Sequence, residues 1–283
     1  MTDSRIRPGS FYGVISEDVM HHQPALLDDM GRLAVEAGRA ILEIYRTDFS
    51  VDHKADKSPL TLADTRSHQI IADGLQTAYP DIPVLSEEGK SVPYGVRKNW
   101  DRFWLVDPLD GTKEFIKRND DFTVNIALIC DQMPTMGVVY VPALDYLYLA
   151  DVQKGCYRSF RGYKTRLKIP PKMPALALRI VQSRSHPSAE LEAYIQRLPA
   201  SENILRGSSL KFCAVASGEA DLYPRLGQTS EWDTAAGHAV VLAAGGVVVD
   251  LKGNPVCYNK ETLLNGPFLA APSREFLQRI HAI

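Results

Sequence analysis

The sequence predicts a mixed fold, with an α+β half followed by an α/β half. Two amphipathic helices open the chain, a run of strands joined by short turns follows, and strands and helices then alternate. Consecutive strands indicate an antiparallel meander, whereas alternation indicates a sheet with helices packed on it. We place the boundary in the proline-rich stretch 168–174. Residues 1–23 are then an N-terminal extension, residues 24–175 the first half and residues 176–283 the second.

Hydrophobic periodicity predicts the two opening helices. Apolar residues recur at helical spacing over 25–46 and again over 60–78. The polar segment 51–59 between them is expected to be a connector, either a strand or a mobile flap. The two apolar stripes consist of Leu26, Met30, Leu33, Ala37, Ile41 and Ile44, and of Leu62, Ile70, Ile71 and Leu75.

Short runs rich in β-branched and aromatic residues predict the strands, and apolar periodicity predicts the helices between the later ones. In the first half we expect strands at 82–85, 104–106, 122–130, 135–141, 146–150 and 155–160. In the second half we expect strands at 179–182, 203–205, 221–223 and 247–250, and helices at 188–198, 208–217 and 233–244.

Composition excludes some classes of protein and leaves others open. The chain has 283 residues, with 32 lysines and arginines against 34 aspartates and glutamates, so its net charge of −2 does not indicate a surface for a nucleic-acid polymer. Its four cysteines form no C-x-x-C pair, which argues against a thiolate zinc site and favours a reducing cytoplasm. No apolar run reaches the roughly 18 residues of a membrane span. Peripheral contact with the cytoplasmic face of a membrane is left open, as is the choice between a monomer and a homodimer.

Two aspartates directly follow a short apolar run. Asp107 and Asp110 stand three residues apart, with a proline between them and Gly111 and Thr112 after them. Carboxylate oxygens at the end of a buried strand are hard ligands, which suit Mg2+ or Mn2+ better than zinc. The Thr112 hydroxyl is placed to orient a water beside them. An ordinary aspartate-rich turn is the alternative interpretation.

Two further acidic segments strengthen the metal hypothesis. Glu87 and Glu88 follow the strand predicted at 82–85, and Asp233 lies in the first turn of a predicted helix. Each has an ordinary alternative, because the glutamates could be solvated loop charges and Asp233 could complement the helix dipole. Three acidic strand or helix ends in one chain of this size nevertheless predict a converging divalent-metal site.

These segments resemble the inositol monophosphatase superfamily of Mg2+-dependent, lithium-sensitive phosphatases. Asp107–Thr112 matches the first signature of that superfamily and Trp232–Gly237 matches the second. The resemblance covers roughly residues 24–270 and implies a layered α/β/α/β/α sandwich. Within the superfamily, the chain most resembles the CysQ branch, the bacterial 3'(2'),5'-bisphosphate nucleotidases. The segments that carry this resemblance are Asp107–Ile129, Ser183–His186, Gly207–Cys213 and Leu222–Arg225. Inositol phosphatases usually have Thr-Asn-Phe where this chain has Lys-Glu-Phe at 113–115.

The resemblance implies a site with two or three Mg2+ ions, or Mn2+ in their place. Thr112 and Glu87 are implied to orient the attacking water, and Asp64 to help place a third metal and that water. Direct attack by water is the simpler hypothesis, because no C-x5-R or D-x-D-x-T phosphoenzyme segment appears. The implied metal ligands are Glu87, Asp107, Asp110, Asp233 and the backbone carbonyl of Leu109.

The second half is expected to select the substrate. The resemblance implies that His186 lies near an adenine. Lys211, together with Ser208 and Arg225, could hold a remote 5'-phosphate and ribose. Lys211 could instead extend its ammonium to solvent, and Arg225 could be a solvated arginine. A second phosphate requires cations beyond the metals, which is the physical argument for a bisphosphate. The remaining expected substrate contacts are Asp233 and the backbone N–H groups of Gly111 and Thr112 at a helix start.

The expected reaction is hydrolysis of adenosine 3',5'-bisphosphate (PAP) to AMP and phosphate, with the sulfated analogue PAPS as a second substrate. The implied role lies in sulfur assimilation. The enzymatic alternative is a phosphatase of inositol phosphates or other sugar phosphates. The alternative without catalysis is a metal-dependent nucleotide sensor.

Overall fold

The computed structural model describes residues 23–47, 59–170, 177–185, 188–199 and 201–282. The predictions for residues 1–22, for connector residues 51–58, for boundary residues 171–174 and for His186 lie outside the described residues. Within the described ranges, both opening helices and every strand predicted in the first half are confirmed, with ends shifted by at most a few residues.

The first half contains, in chain order, α1 (Gln23–Tyr45), α2 (Pro59–Ala78), β1 (Val84–Ser86), α3 (Tyr94–Arg97), β2 (Arg102–Asp110), α4 (Thr112–Lys117), β3 (Thr123–Cys130), β4 (Met133–Val141), a 3-10 turn (Pro142–Leu144), β5 (Tyr146–Asp151), β6 (Gly155–Phe160) and β7 (Tyr163–Leu167). Its seven strands form one sheet in chain order. β1 pairs with β2 in parallel, and each later strand pairs antiparallel with the one before it. The predicted meander is confirmed, and β7 adds a strand that we did not predict.

The second half contains β8 (Leu178–Ser183), α5 (Ala189–Ile195), β9 (Ser201–Arg206), α6 (Leu210–Ala216), β10 (Tyr223–Arg225), β11 (Thr229–Ser230), α7 (Trp232–Ala243), β12 (Val247–Asp250), β13 (Leu264–Asn265), β14 (Phe268–Ala271) and α8 (Arg274–Arg279). β8 and β9 are parallel, whereas β14 pairs antiparallel with both β10 and β12. One parallel bridge between Ile180 and Leu222 joins the two groups of strands. The sequence did not predict β11, β13, β14 or α8.

One prediction in this half was wrong. We expected a strand at 221–223 with Arg225 in the loop beyond Pro224, but Arg225 is the last residue of β10 and pairs with Phe268. Proline does not end the strand here because β10 lies at the edge of its three-stranded sheet, where a missing backbone N–H is tolerated.

The layers follow from the alternation of side chains along the strands. One face of the seven-stranded sheet buries Trp104 and Ile126 against α1 and α2, and the other face buries Phe103 and Ala127 against α6 and α7. A Cβ on Gly137 would lie 2.6 Å from the Ala236 carbonyl oxygen, so this glycine lets α7 lie directly on β4.

The second sheet completes the sandwich. Val248 and Ala270 point towards α6 and α7, whereas Val249 and Leu269 point towards α5 and α8. The predicted α/β/α/β/α order is therefore confirmed, and α6 and α7 form the middle layer shared by both halves. Among the helices that the structure describes, none combines the length and the hydropathy needed to cross a membrane.

Candidate active site

Two neighbouring strand ends deliver the first acidic residues of the site. Because β1 and β2 are parallel, Glu87 follows the end of β1 beside Asp107 of β2, and the Glu87 N–H donates to the Val106 carbonyl at 3.1 Å. The pairing of β2 with β3 shifts register between Asp107 and Asp110. The Leu109 N–H donates to the Asp107 carboxylate at 3.1 Å. This bulge re-aims the strand exactly where the two aspartates stand.

Asp233 approaches these strands from the first turn of α7. The Ser230 N–H donates to its carboxylate at 2.8 Å, and the Ser209 hydroxyl donates to its carbonyl at 3.1 Å. One carboxylate oxygen from each of Glu87, Asp107 and Asp233 lies within 4.8 Å of the other two. The structure thus brings together three of the predicted side-chain ligands. Their hard oxygen atoms fit a divalent cation.

Burial and mutual repulsion make the acidic group unfavourable without a cation. Burial raises the pKa of Asp107 well above its usual range, and the charges of Asp110 and Glu87 raise it further. Burial followed by Asp110 raises the pKa of Asp233 to about 7. The pKa of Glu87 is raised by the same two causes. A bound divalent cation would offset both the burial and the mutual repulsion of these carboxylates.

Asp110 lies beside this group and lines the same cleft as Lys211. The amide of Asn125 donates to its carboxylate at 3.4 Å. Burial raises its pKa, while Lys211 and Asn125 lower it. Asp110 does not belong to the compact group of three carboxylates, and the structure therefore places it between that group and a cationic side chain. Leu109, whose carbonyl is the other predicted ligand, is buried beside it.

Asp64 lies on α2 and is buried, although its sequence context alone indicates an exposed helix position. Burial raises its pKa to about 8, with Glu88 and Glu87 as further causes. The Ser67 hydroxyl donates to the Pro108 carbonyl at 2.7 Å and so holds α2 against the turn between the two aspartates. Ser67 was not predicted, because a lone serine on a helix carries no signal of such a contact.

A cleft of about 240 Å³ opens beside the acidic group. It contains every predicted substrate contact that the structure describes. Glu87, Asp107 and Asp64 do not line it. Asp233 belongs both to the acidic group and to the cleft, and Asp110 lines the cleft outside that group. The predicted residues that line the cleft are Asp110, Gly111, Thr112, Ser208, Lys211, Arg225 and Asp233, and those not predicted are Lys113, Glu114, Ser183, Phe212, Tyr223, Thr229 and Thr234.

The turn before α4 requires a glycine. Gly111 has a φ of +93°, and a Cβ at this position would collide with the Ser208 hydroxyl. That hydroxyl donates to the Asp110 carbonyl at 2.9 Å. Thr112 begins α4 at the cleft and is exposed. The predicted helix start is therefore confirmed, with the glycine and the threonine facing the same space as Ser208.

Lys211 does not extend its ammonium to solvent. Its Nζ donates to the Ser208 carbonyl at 2.6 Å and lies 5.6 Å from the centre of the Tyr223 ring. Burial lowers its pKa to about 8, although Asp110 opposes that shift. On the same side of the cleft, Arg225 donates to the Gln228 carbonyl at 3.2 Å, and its Nε is buried without a hydrogen-bond partner among the described residues. Both cations therefore lie where an anionic ligand would improve their environment.

A buried polar network supports the start of α7. The fully buried carboxylate of Glu231 accepts from Lys260 Nζ at 2.5 Å and from the backbone N–H of Asn259 at 2.7 Å. Arg97 donates to the Asn259 side chain at 2.9 Å. Glu231 stands two residues before Asp233, and its position beside the second signature was the one signal that could have identified it.

Known proteins resemble this chain along most of its length. The model of the inositol monophosphatase family matches residues 27–283. A 3'(2'),5'-bisphosphate nucleotidase CysQ of Escherichia coli strain CFT073 is 50% identical over 246 residues, which are 86% of this chain and 98% of that protein. The crystal structure of CysQ from Bacteroides thetaiotaomicron has a TM-score of 0.81 and 43% identity, covering 89% of this chain and 98% of that one.

A more distant structure shares the fold. An inositol monophosphatase from Zymomonas mobilis has a TM-score of 0.76 and 25% identity, covering 93% of this chain and 98% of that one. The layered architecture, the signature residues at the strand ends and the family match over residues 27–283 agree. The resemblance inferred from the sequence is confirmed: this chain belongs to the inositol monophosphatase family.

Proposed function

We propose that this chain is a Mg2+-dependent 3'(2'),5'-bisphosphate nucleotidase that hydrolyses the 3'-phosphate of PAP to give AMP and inorganic phosphate. The observation that carries the proposal is the composition of one cleft. Its floor joins an acidic metal-binding group, and its wall holds the buried cation Lys211 and the half-buried cation Arg225. The activity of the CysQ relatives, which are up to 50% identical, supports the same substrate class.

Members of the inositol monophosphatase family depend on metals, and the acidic group fits that dependence. Glu87, Asp107, Asp110, Asp233 and the Leu109 carbonyl would hold two or three Mg2+ ions, because hard oxygen ligands suit this cation. Bound Mg2+ supplies neutralisation of the phosphoryl charge and acidification of water. This is the chemistry that a slowly hydrolysing phosphate monoester requires.

The side chains of this chain supply the remaining roles in the reaction. Glu87 and the exposed hydroxyl of Thr112 orient a water for in-line attack on the phosphorus. Asp64, which is buried on α2, helps to place a third metal and that water. The bond from phosphorus to the ribose 3'-oxygen breaks as the new bond from the water oxygen forms. The attacking water loses a proton, and the leaving 3'-oxygen takes up a proton from water to become the 3'-hydroxyl of AMP. The Gly111 and Thr112 N–H groups hold the phosphoryl oxygens.

The second phosphate accounts for the basic wall of the cleft. Ser208, Lys211 and Arg225 would bind the 5'-phosphate and ribose, and His186 would lie near the adenine. Charge-assisted hydrogen bonds to phosphate are stronger than neutral ones. These cations would therefore favour binding of a bisphosphate over a monophosphate, which has no second phosphate to contact them. PAPS is proposed as a second substrate, with a role in sulfur assimilation in the cytoplasm. The protein is proposed to act as a monomer or a homodimer.

The decisive experiment compares phosphate release from PAP and from inositol 1-phosphate with Mg2+ present. A preference of about a hundredfold in kcat/KM for the nucleotide, or about 2.7 kcal/mol, would support the proposal. A preference for the inositol ester would retain the metal site and contradict the bisphosphate assignment. Binding of PAP without turnover of either compound would indicate a nucleotide sensor.

A further inference from the structure

The loop before α6 contains a backbone conformation that needs external support. Ser208 is not a glycine, yet its φ is +46°, in the left-handed region. L residues adopt this region rarely, and they keep it where surrounding contacts fix it. Ser208 also lines the cleft and lies just before the first turn of α6, which contains Lys211. The contacts that fix this loop therefore decide where the cationic wall of the cleft stands.

Asp121 supplies that support from the other half of the chain. Its side chain is 8% exposed, and one carboxylate oxygen accepts from the Gly207 N–H at 2.8 Å and from Arg184 Nε at 2.9 Å. The Arg184 guanidinium also donates to the Leu205 carbonyl at 3.2 Å. A single buried oxygen thus binds two parts of the second half to the segment between α4 and β3.

The packing around Gly207 leaves no room for another arrangement. A Cβ at this position would lie 2.6 Å from Glu114 Cγ and 2.7 Å from both the Cβ and the carbonyl oxygen of Asp121. The loop backbone therefore lies directly on the two acidic residues. Because Gly207 is the residue before Ser208, fixing its N–H also fixes the entry into the left-handed turn.

The same turn connects the two ends of the cleft. The Ser208 hydroxyl donates to the carbonyl of the predicted metal ligand Asp110, and the Ser208 carbonyl accepts from Lys211 Nζ. Burial lowers the pKa of Lys211, and the negative charge of Asp121 opposes that shift, after those of Asp110 and Glu114. The distance between the reacting and the non-reacting phosphate sites is consequently set by a turn that Asp121 holds in place.

We propose that Asp121 is a positioning residue that holds the Gly207–Ser208 turn, and through it Lys211, at the distance required by the second phosphate of a bisphosphate substrate. This inference rests on the proposed function. Asp121 makes no contact with the reacting phosphate in this account. It acts through Gly207 and Ser208, and it contributes to selectivity for two phosphates over one.

The test replaces Asp121 with asparagine, which keeps the shape but removes the charge and one accepting oxygen. We expect KM for PAP to rise about tenfold, with kcat within about threefold, because hydrogen bonds to charged groups contribute that much binding. For adenosine 3'-monophosphate, which has no 5'-phosphate, kcat/KM should change by less than about threefold. The Kd of AMP, measured by calorimetry with Mg2+, should rise with the KM of PAP.

Two further variants separate positioning from general stability. Asp151 is also a buried aspartate, bound by backbone N–H groups and by Lys154, but it does not line the cleft. Asp151→Asn should lower the Tm without changing the ratio of kcat/KM values for PAP and adenosine 3'-monophosphate. Arg184→Gln leaves the Gly207 contact in place and should raise KM for PAP by less than Asp121→Asn does.

The outcomes distinguish the two proposals. Suppose that the wild-type enzyme prefers PAP to adenosine 3'-monophosphate and that Asp121→Asn keeps both this preference and the affinity for AMP. This result would contradict the positioning role but not the proposed function. Equal losses of kcat/KM for PAP and for adenosine 3'-monophosphate in Asp121→Asn would also contradict the positioning role. The same would follow if Asp151→Asn changed the ratio of the two constants as much as Asp121→Asn does. A wild-type enzyme that does not prefer PAP to inositol 1-phosphate would contradict the proposed function, and the positioning role with it.

Discussion

The acidic group beside the cleft, with Asp64 and Asp110 (the acidic end), and the basic wall of the cleft (the basic end) respond to burial in opposite ways and for the same reason. At the acidic end, burial raises the pKa of Asp107, Asp233 and Asp64. At the basic end, burial lowers the pKa of Lys211. In both places removal from water disfavours the charged form. Each end therefore suits a ligand of opposite charge, which in our proposal is a divalent cation at the acidic end and a phosphate at the basic end.

The ends also differ in how the chain builds them. Glu87, Asp107 and Asp110 come from two adjacent strand ends. Lys211 depends on a loop in the second half that hydrogen bonds hold against the first half. A change at the acidic end should therefore affect every substrate alike. A change at the basic end should affect only substrates with a second anionic group.

The largest expected effect is the loss of turnover in Asp110→Asn. The amide lacks the negative charge that a Mg2+ ligand provides, so kcat for PAP and for inositol 1-phosphate should both fall on the order of a thousandfold. Stopped assays of phosphate release at saturating Mg2+ measure this loss. The Tm of the metal-free variant should not fall below that of the wild type, because the burial of one repelling carboxylate is removed. Turnover within tenfold of wild type would contradict the ligand assignment.

Lys211→Met tests the basic end. Methionine fills similar space without the charge, so kcat/KM for PAP should fall about a hundredfold, or about 2.7 kcal/mol. The same constant for inositol 1-phosphate should change by less than about threefold. Lys117→Met, at an exposed lysine of α4, is the matched control and should leave both constants unchanged. Equal losses for the two substrates would show that Lys211 does not serve a second phosphate.

Glu231→Gln tests whether the network behind the acidic end positions Asp233. Glutamine removes the charge that faces Lys260, so the free energy of unfolding should fall by about 2 kcal/mol. This loss is smaller than for a fully buried ion pair because the Lys260 side chain is partly exposed. The Mg2+ concentration for half-maximal activity should also increase. Urea unfolding and a Mg2+ titration measure the two effects. The exposed Glu202→Gln should change neither. A stability loss with unchanged Mg2+ dependence would confine Glu231 to a structural role.

The smallest expected effect is a pH dependence of the metal-free protein. The carboxyls of Asp64 and Asp233 have folded-state pKa values of about 8 and about 7, above the ordinary value of 3.8. The folded state thus binds more protons than the unfolded chain, so these groups stabilise it at low pH and lose that contribution as the pH rises towards 8. Calorimetry without metal should show that the Tm falls by a few degrees between pH 5 and pH 8. Mg2+ should raise the Tm more at pH 8 than at pH 5.

Asp64→Asn sharpens that measurement. Asparagine does not titrate, so the fall of Tm with pH should become shallower in the metal-free variant. Asp73→Asn, on an exposed face of the same helix, is the control and should follow the wild-type curve. A wild-type Tm that rises from pH 5 to pH 8 without metal would contradict the raised pKa values of the acidic end.

The sequence alone predicted the acidic end because its signals are local. Asp107 and Asp110 follow one apolar strand, Glu87 follows another, and Asp233 opens a helix, so strand order and short spacing were sufficient. Periodicity likewise predicted the opening helices and the meander. It did not predict the short strand β13 or the edge strand β7, whose exposed residues lack the apolar alternation of a half-buried strand.

Only the tertiary structure decided how the cleft is held together. Asp121 and Gly207 are 86 residues apart, and Arg97 and Asn259 are 162 residues apart. No local pattern relates such residues, because their hydrogen bonds depend on how the middle helix layer packs between the two sheets. The burial of Lys211 has the same origin. The sequence determined which charges the protein carries into its site, and the packing determined which of those charges lost their water.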